Sequence, residues 1–205
     1  MTRNTTDLVL VWRPTLPPLG PTDSFLRGTH LGVPDEFAAA APAAKHSRPG
    51  TFNDPDMLVV GLTWSNYFTR HLVINRAKEA RHELTPHEFE SVREQLALTP
   101  DQVTWRATVQ PGLTDTEQRT HFSLWAMLAA PLLAGNEVRS MTEQTRAILT
   151  NRDVIAVDQD PLVAQATALP QDSRVLVTPL ADGGVAVALF NPPASPRTSR
   201  PAHRR

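Results

Sequence analysis

Two aspartates separated by a single proline, Asp54 and Asp56, stand at the head of an apolar run, Met57-Leu58-Val59-Val60. A carboxylate held by a rigid turn at a strand end can accept hydrogen bonds from sugar hydroxyls or move a proton in acid/base chemistry. The same residues can equally cap a turn, because Asn53-Asp54-Pro55 is a turn-forming sequence. From the residues alone both readings stay open. Other chemistry has less support. The chain has 7 histidines, but His71, His82 and His87 lack the ligand spacing and acidic partners of a metal site. Ser123 lacks the flanking glycines of a nucleophile elbow. Trp64, Tyr67 and Phe68 could stack on sugar rings, yet a cluster that opens a helix usually serves the core.

These side chains need a scaffold. The run Leu58-Val59-Val60-Gly61 reads as the end of a buried strand, and Leu132-Leu133-Ala134 as another short one. The run Leu8-Val9-Leu10-Val11 is too short for periodicity to separate strand from helix. Between Pro14 and Gly50 the prolines predict mostly loop, with a short helix near Asp35–Ala44. Residues 64–82, 86–97 and 100–108 read as three helices. The second and third are announced by Thr85-Pro86-His87-Glu88 and Thr99-Pro100-Asp101-Gln102, in which threonine can cap and proline suits the first turn. Thr114 and Glu117 fit a capping box, with Leu113 placed to staple the entry. The helix after them puts Phe122, Trp125 and Ala129 on one face and is expected to end at Pro131. Thr142–Leu149 and Arg152–Val157 read as two more helices. Strand, helix, strand, helix implies an α/β domain with a parallel sheet. Beyond Pro170 the texture changes. Arg174–Thr178 and Val185–Leu189 flank Ala181-Asp182-Gly183-Gly184, a hairpin signal.

Composition bounds the function. The 20 basic and 21 acidic side chains give a net charge of −1, so no basic excess is available for a phosphate backbone and no nucleic-acid partner is expected. No run approaches the roughly 18 apolar residues of a membrane helix, and no membrane partner is expected. Cysteine is absent, which removes disulfides and thiolate chemistry. That fits a cytoplasmic protein, but secreted bacterial enzymes can also lack cysteine, so the compartment stays open. Met1-Thr2-Arg3-Asn4 lacks the form of a signal peptide.

The segment Phe52-Asn53-Asp54-Pro55-Asp56-Met57-Leu58-Val59-Val60-Gly61 resembles the seventh-strand motif of the family 27 glycoside hydrolases, the α-galactosidases or melibiases. Gly112–Ala126, Ala130–Asn136 and Asp153–Leu162 are similar to the family's following helix, eighth strand and exit from the barrel. Arg3-Asn4-Thr5-Thr6-Asp7-Leu8, with Trp12 five places beyond Asp7, resembles its sixth-strand element. The resemblance implies that Asp7 is the general acid/base, that Arg3 and Asp56 bind galactose, and that Met57 lines the pocket. It implies no metal or organic cofactor, and a galactoside as the substrate. The expected fold is α/β, the C-terminal part of a (β/α)8 TIM barrel (strands six to eight) with a helical insertion, followed by the start of an antiparallel β domain. The corresponding boundaries are 1–170 for the partial barrel with insertion 62–111, 171–191 for the β domain and 192–205 for a disordered tail.

The implied activity is retaining hydrolysis of terminal α-D-galactosyl residues. A related specificity, α-N-acetylgalactosaminidase or β-L-arabinopyranosidase, and a non-catalytic remnant are the alternatives. The family's nucleophile is an aspartate in a Lys-x-Asp setting, and neither Lys45 nor Lys78 begins such a motif. The isolated chain is therefore expected to be inactive. Aglycone preference and oligomeric state are not implied.

Overall fold

A computed structural model describes residues 2–3, 32–55, 57–109 and 112–191. The expected apolar run at residues 8–11, the residues Asp7, Trp12 and Asp56, and the expected tail at 192–205 lie outside the described residues.

Strand β1 (Thr2–Arg3) pairs in parallel with β2 (Asn53–Asp54), in the register Thr2↔Asn53 and Arg3↔Asp54. Further along, Leu58 makes an isolated parallel bridge to Ala134, and the Gly135 amide donates to the Leu58 carbonyl at 2.8 Å. The expected strand over 132–134 is therefore reduced to one bridged residue, with Leu133 75% exposed. Helix α1 (Val33–Ala40) runs into a 3-10 turn (Ala41–His46), close to the helix expected at 35–44.

The three middle helices form where their local signals predict: α2 (Trp64–Ala80), α3 (Pro86–Leu96) and α4 (Pro100–Val109). Thr63 caps α2 by accepting from the Asn66 amide. At α3 the Thr85 hydroxyl accepts from the Glu88 amide, and the Glu88 carboxylate accepts from the Thr85 amide in return. Thr99 and Gln102 exchange the equivalent bonds at α4. Each satisfies donors that a helix start leaves orphaned. Trp64, Phe68 and Leu72, one turn apart on α2, are its buried stripe. The Trp64 indole donates to the Arg106 carbonyl on α4 at 2.8 Å, and its ring stacks on Phe68 with centroids 5.6 Å apart.

Helix α5 (Asp115–Met127) starts on the expected Thr114–Glu117 capping box. The entry differs in one detail. Leu113 is buried in the core, but its carbonyl also accepts from the Gln118 side-chain amide at 3.2 Å, so a polar tie stands where an apolar staple was expected. The end also differs. The helix stops at Met127, short of Pro131, because Ala129 takes φ +49° and the Ala130 amide reaches back to the Trp125 carbonyl. This is a Schellman closure, made here with alanine where glycine would carry less strain. Helices α6 (Glu143–Leu149) and α7 (Arg152–Asp158) follow, capped by Thr142 and Asn151.

The chain then forms a three-stranded antiparallel sheet in the order β3-β4-β5. Strands β4 (Asp172–Pro179) and β5 (Val185–Leu189) form the expected hairpin, whose turn contains Gly183 at φ +86°. The third strand, β3 (Thr167–Leu169), is unanticipated and pairs with β4 through a register shift between Ala168 and Leu169. One apolar core joins Val33 and Phe37 of α1 to Leu58–Val60, to Phe122, Leu124 and Trp125 of α5, and to Leu176 of β4. Full burial of each such large side chain is worth about 1.5–3 kcal/mol. Among the described residues no helix is long and apolar enough to cross a membrane.

Candidate functional site

The site must be built on the parallel segments. Arg3 lies directly across from Asp54, so the element carrying Arg3 runs beside the motif that carries Asp56. Asp7 and Asp56 lie outside the described residues, as does the side chain of Arg3. Met57 is half-buried and packs against the core.

Asn53 does not cap a turn, as the simplest reading of Asn-Asp-Pro suggests. It lies in β2 and is buried. Its amide donates to the Ala43 carbonyl at 3.0 Å and to the Gln165 side-chain oxygen at 2.6 Å. The Gln165 amide in turn donates to the Ala40 carbonyl at 3.0 Å. This network ties the start of the motif to α1, the 3-10 turn and the segment before β3. A buried amide left without such partners would cost about 1–3 kcal/mol, so Asn53 positions the strand and is not itself a reacting group.

The other end of the motif is held by α5. The Val59 amide donates to His121 Nε2 at 3.1 Å, and the Gly61 amide to the Gln118 side-chain oxygen at 2.8 Å. His121 is fully buried, with its ring edge-on to Trp125 at 4.1 Å between centroids. Burial pushes its imidazole down to about 3, against an opposing pull from the Met57 backbone. The imidazole is therefore neutral. Because Nε2 accepts from Val59, the proton sits on Nδ1. Sequence reading passed over His121 because a histidine inside an apolar helix carries no local sign of its partner.

Gly135 is the second residue that was missed. A Cβ there would come within 3.0 Å of the Met57 methyl and 3.2 Å of the Leu58 carbonyl oxygen. Its bare backbone leaves room for Met57 to pass across the neighbouring segment. Asn136, next along, buries a side-chain oxygen without a hydrogen-bond partner.

Asp158 is a buried carboxylate whose pKa is raised to about 6 by burial, with the Gln159 side chain donating to it. It lines a cleft of about 290 Å³ with Phe52, Ala130 and Pro131. Those residues precede the parallel segments, so the cleft lies at the opposite end from Gly61 and Asn136. Asp158 thus lies at the end where the parallel segments begin, away from the segment exits at Gly61 and Asn136. Among the described residues no group of three or more histidine, aspartate or glutamate side chains could hold a metal ion.

Parallel segments covered by α5, with helices beyond and an antiparallel sheet after them, define an α/β chain of the kind that ends in a β domain. A family model described as Alpha galactosidase A matches residues 100–160. Alpha-galactosidase A of Cellvibrio japonicus is 46% identical over 82 residues, covering 39% of this chain and 20% of its own length. Alpha-galactosidase 2 of Arabidopsis thaliana is 32% identical over 150 residues, 72% of this chain and 26% of its own. Among solved structures, a Bacteroides fragilis chain assigned as an α-galactosidase/melibiase aligns with a TM-score of 0.58 and 30% identity, over 90% of this chain and 29% of that one. The α-galactosidase of Saccharomyces cerevisiae aligns with a TM-score of 0.55 over 92% of this chain and 35% of its own, and at 22% identity this is a likeness of fold.

Over these stretches the chain is similar to part of the α-galactosidase (melibiase) family. It spans between 20% and 26% of the two curated relatives described.

Proposed function

We propose that this chain supplies the galactose-binding and acid/base part of a retaining α-galactosidase site. In this reading Asp7 is the general acid/base, Arg3 and Asp56 hydrogen-bond galactose hydroxyls, and Met57 forms a wall of the pocket. The observation that carries it is the parallel register Arg3↔Asp54, which sets side by side two elements that the family resemblance alone connects. The S. cerevisiae α-galactosidase has been solved with raffinose, which supports a galactoside as the substrate class. The parallel segments would be strands six to eight of a (β/α)8 barrel, with residues 62–111 inserted and the β domain opening near 171.

The mechanism needs two carboxyl groups about 5–5.5 Å apart. One attacks the anomeric carbon and the other protonates the leaving oxygen, then activates water. Asp7 would fill the second role, for which a buried carboxyl near another acid is suited. The nucleophile has no candidate among residues 1–205 by the Lys-x-Asp criterion. The test is hydrolysis of a chromogenic α-D-galactoside by the purified chain. No turnover above background is expected. Turnover abolished by Asp7→Asn would contradict the division of the site proposed here, because it would require both carboxyl groups within these residues.

A further inference from the structure

We propose that the groove between α2 and the segment following Ala134 is a second carbohydrate subsite, which takes the sugar units attached to the galactosyl group. This rests on the galactosidase reading above. Leu58 and Ala134 are bridged in parallel, so the chain leaves both segments at the same end. From that end Gly61–Thr63 leads into α2, and Glu137–Thr142 leads through a 3-10 turn (Val138–Ser140) into α6. Between these two exits lies a groove of about 760 Å³, within the usual range for small-molecule sites. In a barrel enzyme this end carries the substrate. In this reading an oligosaccharide bound through its terminal galactose would extend from the pocket over this rim.

The groove suits a sugar chemically. Its lining pairs the polar groups of Asn66, Arg70 and Ser140 with the apolar side chains of Val73, Ile74 and Met141. Among the described residues, none of those three polar side chains makes a hydrogen bond or ion pair. Sugar rings present hydroxyls at their edges and C–H groups on their faces, so they use both kinds of contact. Val73 and Ile74 are 66% and 41% exposed, and a ring laid on them would remove apolar surface from water. The wall is also pre-formed. The Thr63 cap and the buried Trp64, bonded to α4, fix the first turn of α2, so little ordering cost attends binding.

The test titrates the full isotope-labelled chain with galactose and, separately, with the trisaccharide raffinose, following backbone amide shifts. Galactose is expected to move the Arg3 and Met57 amides. Raffinose is expected to move those of Asn66, Arg70 and Ser140 as well. Arg70→Ala should weaken raffinose binding about fivefold, the worth of one ordinary solvent-exposed hydrogen bond. Shifts at Met57 with both sugars, but a silent groove with raffinose, would overturn the subsite and leave the functional reading standing. No shift at Met57 with either sugar would overturn the functional reading and the subsite with it.

Discussion

His121 shows how a buried residue can hold the proposed galactose-binding motif in place. Its neutral imidazole accepts the Val59 amide two residues beyond Met57, so the proton count of one buried ring is coupled to the course of the motif. The unfolded ring titrates near 6.5 and the folded one near 3. The sign follows from linkage: its contribution is fully present above pH 6.5 and is lost as pH falls from there toward 3, because the unfolded state binds the proton more readily. The loss amounts to at most about 1.4 kcal/mol per pH unit. His121→Gln keeps an acceptor but not the titration. In urea unfolding, the stability gap between wild type and His121→Gln should be widest near pH 7 and narrow toward pH 4. A gap that stays constant with pH would mean that the buried ring does not titrate as described.

At the scale of elements, α5 is the clamp. Its first turn is set by Thr114 and Glu117, its middle holds Gln118 and His121 against Gly61 and Val59, and its last turns bury Trp125. Thr114→Ala removes the hydroxyl that accepts from the Glu117 amide and should destabilise the fold by about 1 kcal/mol, with Thr114→Ser recovering most of it. Denaturant midpoints at constant slope check this. The same helix shows what the sequence could and could not disclose. Its start was legible because a capping box is a contact between residues three apart. Its end was not, because nothing in Ala129 announces a left-handed backbone. Strand β3 escaped notice for a related reason: Thr167–Leu169 is short and exposed throughout, without alternation, and is a strand only because β4 pairs with it. In β5 the larger side chains Val185, Val187 and Leu189 face outward, a choice of face that an all-apolar run cannot specify.

For the whole molecule, the parts that hold the site together are far apart in the chain. Asn53 and Gln165 meet across 112 residues, and Ser47 donates to the Val163 carbonyl across 116. Such contacts have no local signature, so the motif's letters suggested a galactose site while the reason for its rigidity lay beyond reach. The parallel arrangement of residues 2–3, 53–54, 58 and 134 is the framework on which the proposed site depends. Its direct test is calorimetric titration of the chain with galactose and with glucose, which differ only in the orientation of one hydroxyl. Galactose should bind measurably and glucose at least tenfold more weakly, about 1.4 kcal/mol, and Asp56→Ala should abolish the galactose signal while the protein stays folded. Equal binding of the two sugars, or galactose binding that survives Asp56→Ala, would contradict the assignment of this motif as the galactose-binding strand.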